Sequence, residues 1–170
     1  MALYQGLTKH TILLSSEIDT TLRGNTMSQF TLITGDIVSY DSNQVATINA
    51  TGEIKINRFA EPLFIPDSAK AAIELGRLDD NLFNLKKLLR SGYADPCPTT
   101  RVLIETTHPL PEINGLLIKR RFSIIDFCSA EIEKSHSKAV LDALLELEYV
   151  QQIQLDEVMQ LQPPVQFNNQ

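Results

Sequence analysis

The sequence predicts an α+β fold: an antiparallel β-meander followed by two helices and a second small sheet-and-helix section. Three observations carry this expectation. Apolar residues alternate with period two before Pro62, they recur at helical spacing after Pro66, and from Arg101 onward extended and helical patterns are mixed.

The meander is expected over roughly residues 28–58. Nine of the 13 threonines fall within the first 51 residues, and threonine suits a pleated, half-buried surface. Gly35-Asp36 separates Phe30-Thr31-Leu32-Ile33 from Ile37-Val38-Ser39-Tyr40. Asp41-Ser42-Asn43 then precedes Val45-Ala46-Thr47-Ile48, and Ala50-Thr51-Gly52 precedes Glu53-Ile54-Lys55-Ile56. Short strands joined by such turn residues read as successive hairpins. Strand alternation puts Ile54 and Ile56 on one face, with Lys55 and Asn57 on the other. Thr11-Ile12-Leu13-Leu14 adds an earlier strand or arm.

Pro62 and Pro66 mark the change of regime. A helix is expected near residues 67–76, capped by Asp67 or Ser68 and ended by Gly76 in the left-handed conformation. A second is expected near 79–91, where Leu78, Leu82, Leu85 and Leu89 form one stripe backed by Phe83 and Leu88. Lys86, Lys87 and Arg90 suit its last turns and Gly92 its stop. The stripe lasts about three turns, which makes it a core face rather than a coiled-coil seam. The segment Ser91 to Pro98 reads as a linker. It divides the chain into residues 1–95, residues 96–161 and a tail, 162–170. Behind it come a strand from Arg101 to Thr106, a turn around Pro109, Pro111 and Gly115, and an apolar run from Leu116 to Phe127. A helical region capped by Ser129 is expected to reach about Glu148, with Val150 through Leu155 extended again.

Composition narrows the function. With 43% hydrophobic residues, 21% charged and a net charge of −6, the chain is neither disordered nor strongly basic. No apolar run approaches the roughly 18–20 residues of a membrane helix. Met1-Ala2-Leu3-Tyr4-Gln5-Gly6 has no basic cluster leading into an apolar stretch, so no signal peptide is expected. Residues 129–170 hold 7 acidic and 2 basic side chains, so most of the negative charge sits in the last quarter. The one basic run, Lys119-Arg120-Arg121, is a weak nucleic-acid candidate: on a regular strand Lys119 and Arg121 share a face and Arg120 points away.

Chemistry-bearing constellations are sparse. Cys97, His108, Cys128 and His136 lack the close ligand pairs of a structural zinc site. Cys128, just before the expected helix, is the best nucleophile candidate, since a helix N-terminus lowers a thiol pKa. His136 would then lie more than two helical turns away, too far to act as its base. Asp79-Asp80 and Asp156-Glu157 are adjacent pairs that face apart, and the seven glycines form no phosphate or dinucleotide loop. No catalytic residue, cofactor or metal is expected.

Ser129 through Val150 resembles the helix-turn-helix of winged-helix domains. A short helix, a serine-capped turn at Ser135 or Ser137 and a second helix packing through Ile132, Val140, Leu144 and Leu147 would run in that order. The resemblance covers about 22 residues and implies a regulator that binds nucleic acid or protein. The second helix, however, carries Lys138 against Asp142, Glu146 and Glu148, the wrong sign for a phosphate-lined groove.

The expectation for function is a non-enzymatic structural or adaptor subunit of a larger assembly, cytoplasmic or part of a virion, with a phage tail or contractile apparatus as one setting. Its partners are expected to be protein subunits of the same assembly, in an oligomer, with neither membrane nor nucleic acid involved. Neighbours would be met through strand edges and chain ends. Residues 1–27 and 162–170 bury too little apolar surface to offset an ordering cost of roughly 1–2 kcal/mol per residue. Their apolar residues Ile12, Leu13, Leu14, Val165 and Phe167 are the expected anchors.

Overall fold

A computed structural model of the chain describes residues 27–42 and 44–157. The five candidate anchors Ile12, Leu13, Leu14, Val165 and Phe167 lie outside these described residues. The fold is α+β, built on three antiparallel sheets. The first is a three-stranded meander of β1 (Ser28–Thr31), β2 (Ile37–Tyr40) and β3 (Val45–Thr47). Period-two patterning works here: Phe30 and Tyr40 face the core, as does Val38 opposite Phe30. Gly35 supplies the turn with φ of 84°, and a side chain there would press on Lys138.

The meander stops at β3. Strand β4 (Gly52–Ile56) pairs instead with β5 (Pro62–Pro66), a strand hidden in the sequence by its two prolines. Those prolines sit at the two ends of a two-stranded ribbon, where a missing N–H costs least. Ile56 is 64% exposed although Ile54 is half-buried, so the two isoleucines do not share a buried face.

The first helix forms as expected. A 3-10 turn, Asp67–Ala69, leads into α1 (Lys70–Glu74), and Gly76 at φ of 73° ends it. The Gly76 N–H bonds to the Ile73 carbonyl and the Arg77 N–H to that of Ala72, the paired bonds of a Schellman stop. No Asp67 or Ser68 side chain caps it; the residue before it is Pro66. The second helix is not continuous. It splits into a 3-10 turn, Asp80–Phe83, and α2 (Leu85–Arg90), with Asn84 extended between them. Asn84 is fully buried; its side chain caps Lys87 N–H at 3.0 Å and donates to the Glu61 carboxylate at 3.4 Å. The break shifts the phase of the leucine stripe: Leu82, Leu85 and Leu88 are buried and Leu89 is 42% exposed.

The four-stranded sheet follows. Strands β6 (Thr99–Thr106), β7 (Leu116–Arg121), β8 (Phe127–Glu133) and β9 (Val150–Leu155) lie in the order β7-β8-β6-β9. Strand β8 corrects the sequence expectation of a helix from Ser129. Cys128, Ala130 and Ile132 alternate inward while Ser129 and Glu131 stay half-exposed, a strand pattern that helix-forming residue types had masked. The only α-helix of this region among the described residues is α3 (Ser137–Glu146), entered through a 3-10 turn at Lys134–His136. The first helix of the helix-turn-helix resemblance is therefore strand, and neither Ser135 nor Ser137 is the cap, His136 holding that position.

Buried side chains of both sections form one cluster, from Phe30, Phe64 and Phe83 to Ile104, Ile132, Val140 and Ile153. The segment of linker composition is pinned to it. Tyr93 is buried and donates its hydroxyl to the Asp156 carbonyl, and Asp95 accepts from the Thr31 N–H at 2.6 Å and from Lys134 at 3.3 Å. No helix among the described residues is long and apolar enough to cross a membrane.

Candidate docking site

The two edges of the four-stranded sheet differ. Arg77, Leu78 and Asp79 lie along β9: the Asp79 N–H bonds to the Ile153 carbonyl at 3.0 Å, and the Ile153 N–H to the Arg77 carbonyl at 2.9 Å. On the other side, β7 has no strand outside it among the described residues. Its entry is fixed by Gly115, whose φ of 91° and close approach to His136 leave no room for a side chain. An open edge exposes a row of backbone N–H and C=O groups to any extended partner.

The basic run lies on this edge, with an altered geometry. Pairing is regular from Leu116↔Ile132 to Ile118↔Ala130 and then shifts, so that Arg120 opposes Ser129 and Arg121 opposes Cys128. The extra residue is Lys119, a β-bulge. It overturns the simple alternation. Lys119 reaches Glu131 at 3.5 Å, on the same face as Ser129 and hence Arg120, and Arg121 falls on the side of buried Cys128. All three basic residues are exposed, and the Arg120 guanidinium lies 5.3 Å over the Phe122 ring. Glu131 also sits 3.7 Å from Arg101, so an acidic residue lies between two of the sheet's cations. A continuous phosphate-binding stripe is absent here.

Beyond Arg121 the chain turns through Phe122–Asp126 into β8. The loop is closed by Phe122 N–H to the Phe127 carbonyl at 3.0 Å and Thr106 N–H to the Asp126 carbonyl at 2.7 Å. Ile124 is 94% exposed, Ile125 54% and Leu117, on the adjacent strand, 55%. Exposed branched apolar side chains at a hairpin tip, next to an unpaired edge, are unusual unless something covers them. Sequence reading noted the basic run and missed these isoleucines, which it placed inside one long apolar stretch. The signal was Ser123 and Asp126, which bracket Ile124-Ile125 as a turn.

The other candidates are dispersed. Cys128 is in the middle of the sheet rather than at a helix start, and burial pushes its thiol up from the ordinary value, with the Arg121 charge opposing. That is the reverse of an activated nucleophile. Cys97 donates to the Thr99 carbonyl at 3.3 Å, His108 packs on Tyr149 and His136 pairs with Glu133 at 3.1 Å. No group of three or more His, Cys, Asp or Glu among the described residues is placed to hold a metal ion.

With this geometry in hand, comparison with known proteins adds no further guide: no family model, no curated protein and no solved structure matches the chain. The class is set by the fold itself, an α+β protein whose four-stranded sheet has, among the described residues, one covered and one open edge.

Proposed function

We propose that the chain is a non-enzymatic structural or adaptor subunit that binds a neighbouring protein through the β7 edge and the hairpin beyond it. The observation that supports this reading is a coincidence on one edge: the outer side of β7 has no partner strand among the described residues, and Leu117, Ile124 and Ile125 are exposed beside it. Addition of a partner strand satisfies the open backbone groups, and apolar contacts at the tip supply selectivity. The bulge at Lys119 interrupts the strand between Ile118 and Arg120, which favours strand addition along Leu116–Ile118 and side-chain contact beyond it. Ile12, Leu13, Leu14, Val165 and Phe167 remain proposed additional anchors.

The test is native size-exclusion of extracts from the source cells, comparing the natural chain with the Leu117→Asp/Ile124→Asp double variant. The natural chain should elute in a complex much larger than itself and the variant at monomer size, with unchanged circular dichroism. Identical elution of the two would remove the reading.

A further inference from the structure

The front section holds a concavity that the docking edge does not use. Strands β4 and β5 and helix α1 enclose a groove of about 290 Å³, floored by Ile56, Ile65 and Ile73. Its two lysines are engaged, Lys55 with Glu53 at 3.2 Å and Lys70 with Asp67 at 2.9 Å. Its remaining acids, Glu74 and Asp80, have no ion pair within 4.0 Å among the described residues. Burial, with a hydrogen bond to the Asp79 carboxyl beside it, pushes Asp80 up from the ordinary carboxylate value, so its charged form is disfavoured until a cation approaches.

The complement of this groove is on the same chain. The hairpin tip presents Ile124 and Ile125, and its Arg120 and Arg121 likewise have no ion pair within 4.0 Å among the described residues. Two cations without an ion pair among the described residues flank an exposed apolar tip, and two carboxylates likewise without one, Asp80 hydrogen-bonded to Asp79, lie beside an apolar floor. We infer that the occupant of the groove is the β7–β8 hairpin of a second copy of this chain, with Ile124 seated among Ile56, Ile65 and Ile73 and the arginines facing Glu74 and Asp80. The matching of charge and of apolar surface favours this occupant over an anionic bilayer, which would match the hairpin alone. Hairpin and groove are different surfaces, so the contact is head-to-tail and builds a ring or a filament. The inference rests on the assembly reading above and names its neighbour.

Sedimentation velocity of the purified full-length protein over a concentration series tests it. The natural chain should self-associate, and less so at high salt. Ile124→Asp and Glu74→Arg, both at exposed positions, should each weaken association about tenfold or more. The informative step is to mix the two variants: each retains the surface the other lacks, so a one-to-one dimer should form and nothing larger. Adding Arg121→Glu to Glu74→Arg should restore part of the association. A mixture no more associated than its components would overturn the inference, as would a natural chain that stays monomeric throughout. So would binding to phosphatidylserine vesicles that Ile124→Asp abolishes without self-association. A pure monomer that still enters a large complex in extracts, and loses it with Leu117→Asp/Ile124→Asp, would refute the self-contact while leaving the adaptor reading standing.

Discussion

Strands β7 and β9 are the two margins of one sheet, and they are finished in opposite ways. Strand β9 is lined by Arg77–Asp79, which exchange backbone bonds with Ile153, and the Arg77 guanidinium reaches the carbonyls of Leu145, Leu147 and Val150 at 2.6, 3.0 and 3.2 Å. One side chain of the front section thus gathers the end of α3 and the start of β9. Strand β7 receives no such cover among the described residues, and it is shaped by a bulge, three basic residues and an apolar tip. The lesson is that edge residues near Arg77 serve stability, whereas those on β7 are free to serve association.

Three perturbations sharpen or break this contrast. The largest effect is expected from Arg77→Ala, which removes a charged donor from three carbonyls, of which that of Leu147 keeps the Val150 N–H, and loosens the β9 margin. It should cost about 3 kcal/mol in denaturant unfolding; a loss under about 1 kcal/mol would show that the backbone bridge at Ile153 closes this edge alone.

An intermediate effect concerns pH. For Asp95, burial acts upward, but hydrogen bonds from Gln29 and the Thr31 N–H, together with Lys134, hold the carboxyl below its ordinary value. Glu61 is lowered in the same sense: burial acts upward, and Asn57, Asn84 and the charges of Arg90 and Lys87 outweigh it. A depressed folded pKa stabilises the native state above the unfolded pKa, near 4, and the gain is lost as pH falls through the folded value. The melting temperature should therefore be flat from about pH 7 to 5 and drop below about pH 4. Asp95→Asn should lower the plateau and flatten that drop.

The smallest effect should come from the open margin. Leu117→Thr keeps strand propensity and removes only exposed apolar surface, so unfolding should shift by no more than about 0.5 kcal/mol. A larger loss would mean that β7 is packed rather than open.

Much of this was legible beforehand, and the gaps have physical causes. Short apolar runs between turn residues located β1 to β4, β6 and β9, and Gly76 and Gly92 end α1 and α2 at positive φ, as their placement suggested. Strand β5 was hidden because proline is a poor guide in a two-stranded ribbon, where each end lacks a ladder to disrupt. The leucine stripe concealed the break at Asn84, because periodicity cannot register a buried amide that trades a helical turn for a bond to Glu61. Strand β8 was hidden because Ser129 reads as a helix cap before Ala130, Glu131 and Glu133, and tertiary pairing with β6 and β7 overrode that local preference. For the candidate docking site, the sequence marked the charges, but exposure of Ile124 depends on the hairpin turn and is not a property of composition.

The order β7-β8-β6-β9 also has a consequence in time. Strand β8 follows β7 after a five-residue turn, so this hairpin can close locally, an event of about 1–10 μs. Strand β6 must wait for partners far along the chain, with Thr99 opposite Glu133 and Val102 opposite Leu155. The hairpin that carries Ile124 is therefore expected to be among the earliest ordered pieces, before its own sheet is complete. The exposed apolar tip thus forms before the body that carries it, while the groove of residues 53–80 and the rest of the sheet are still being built.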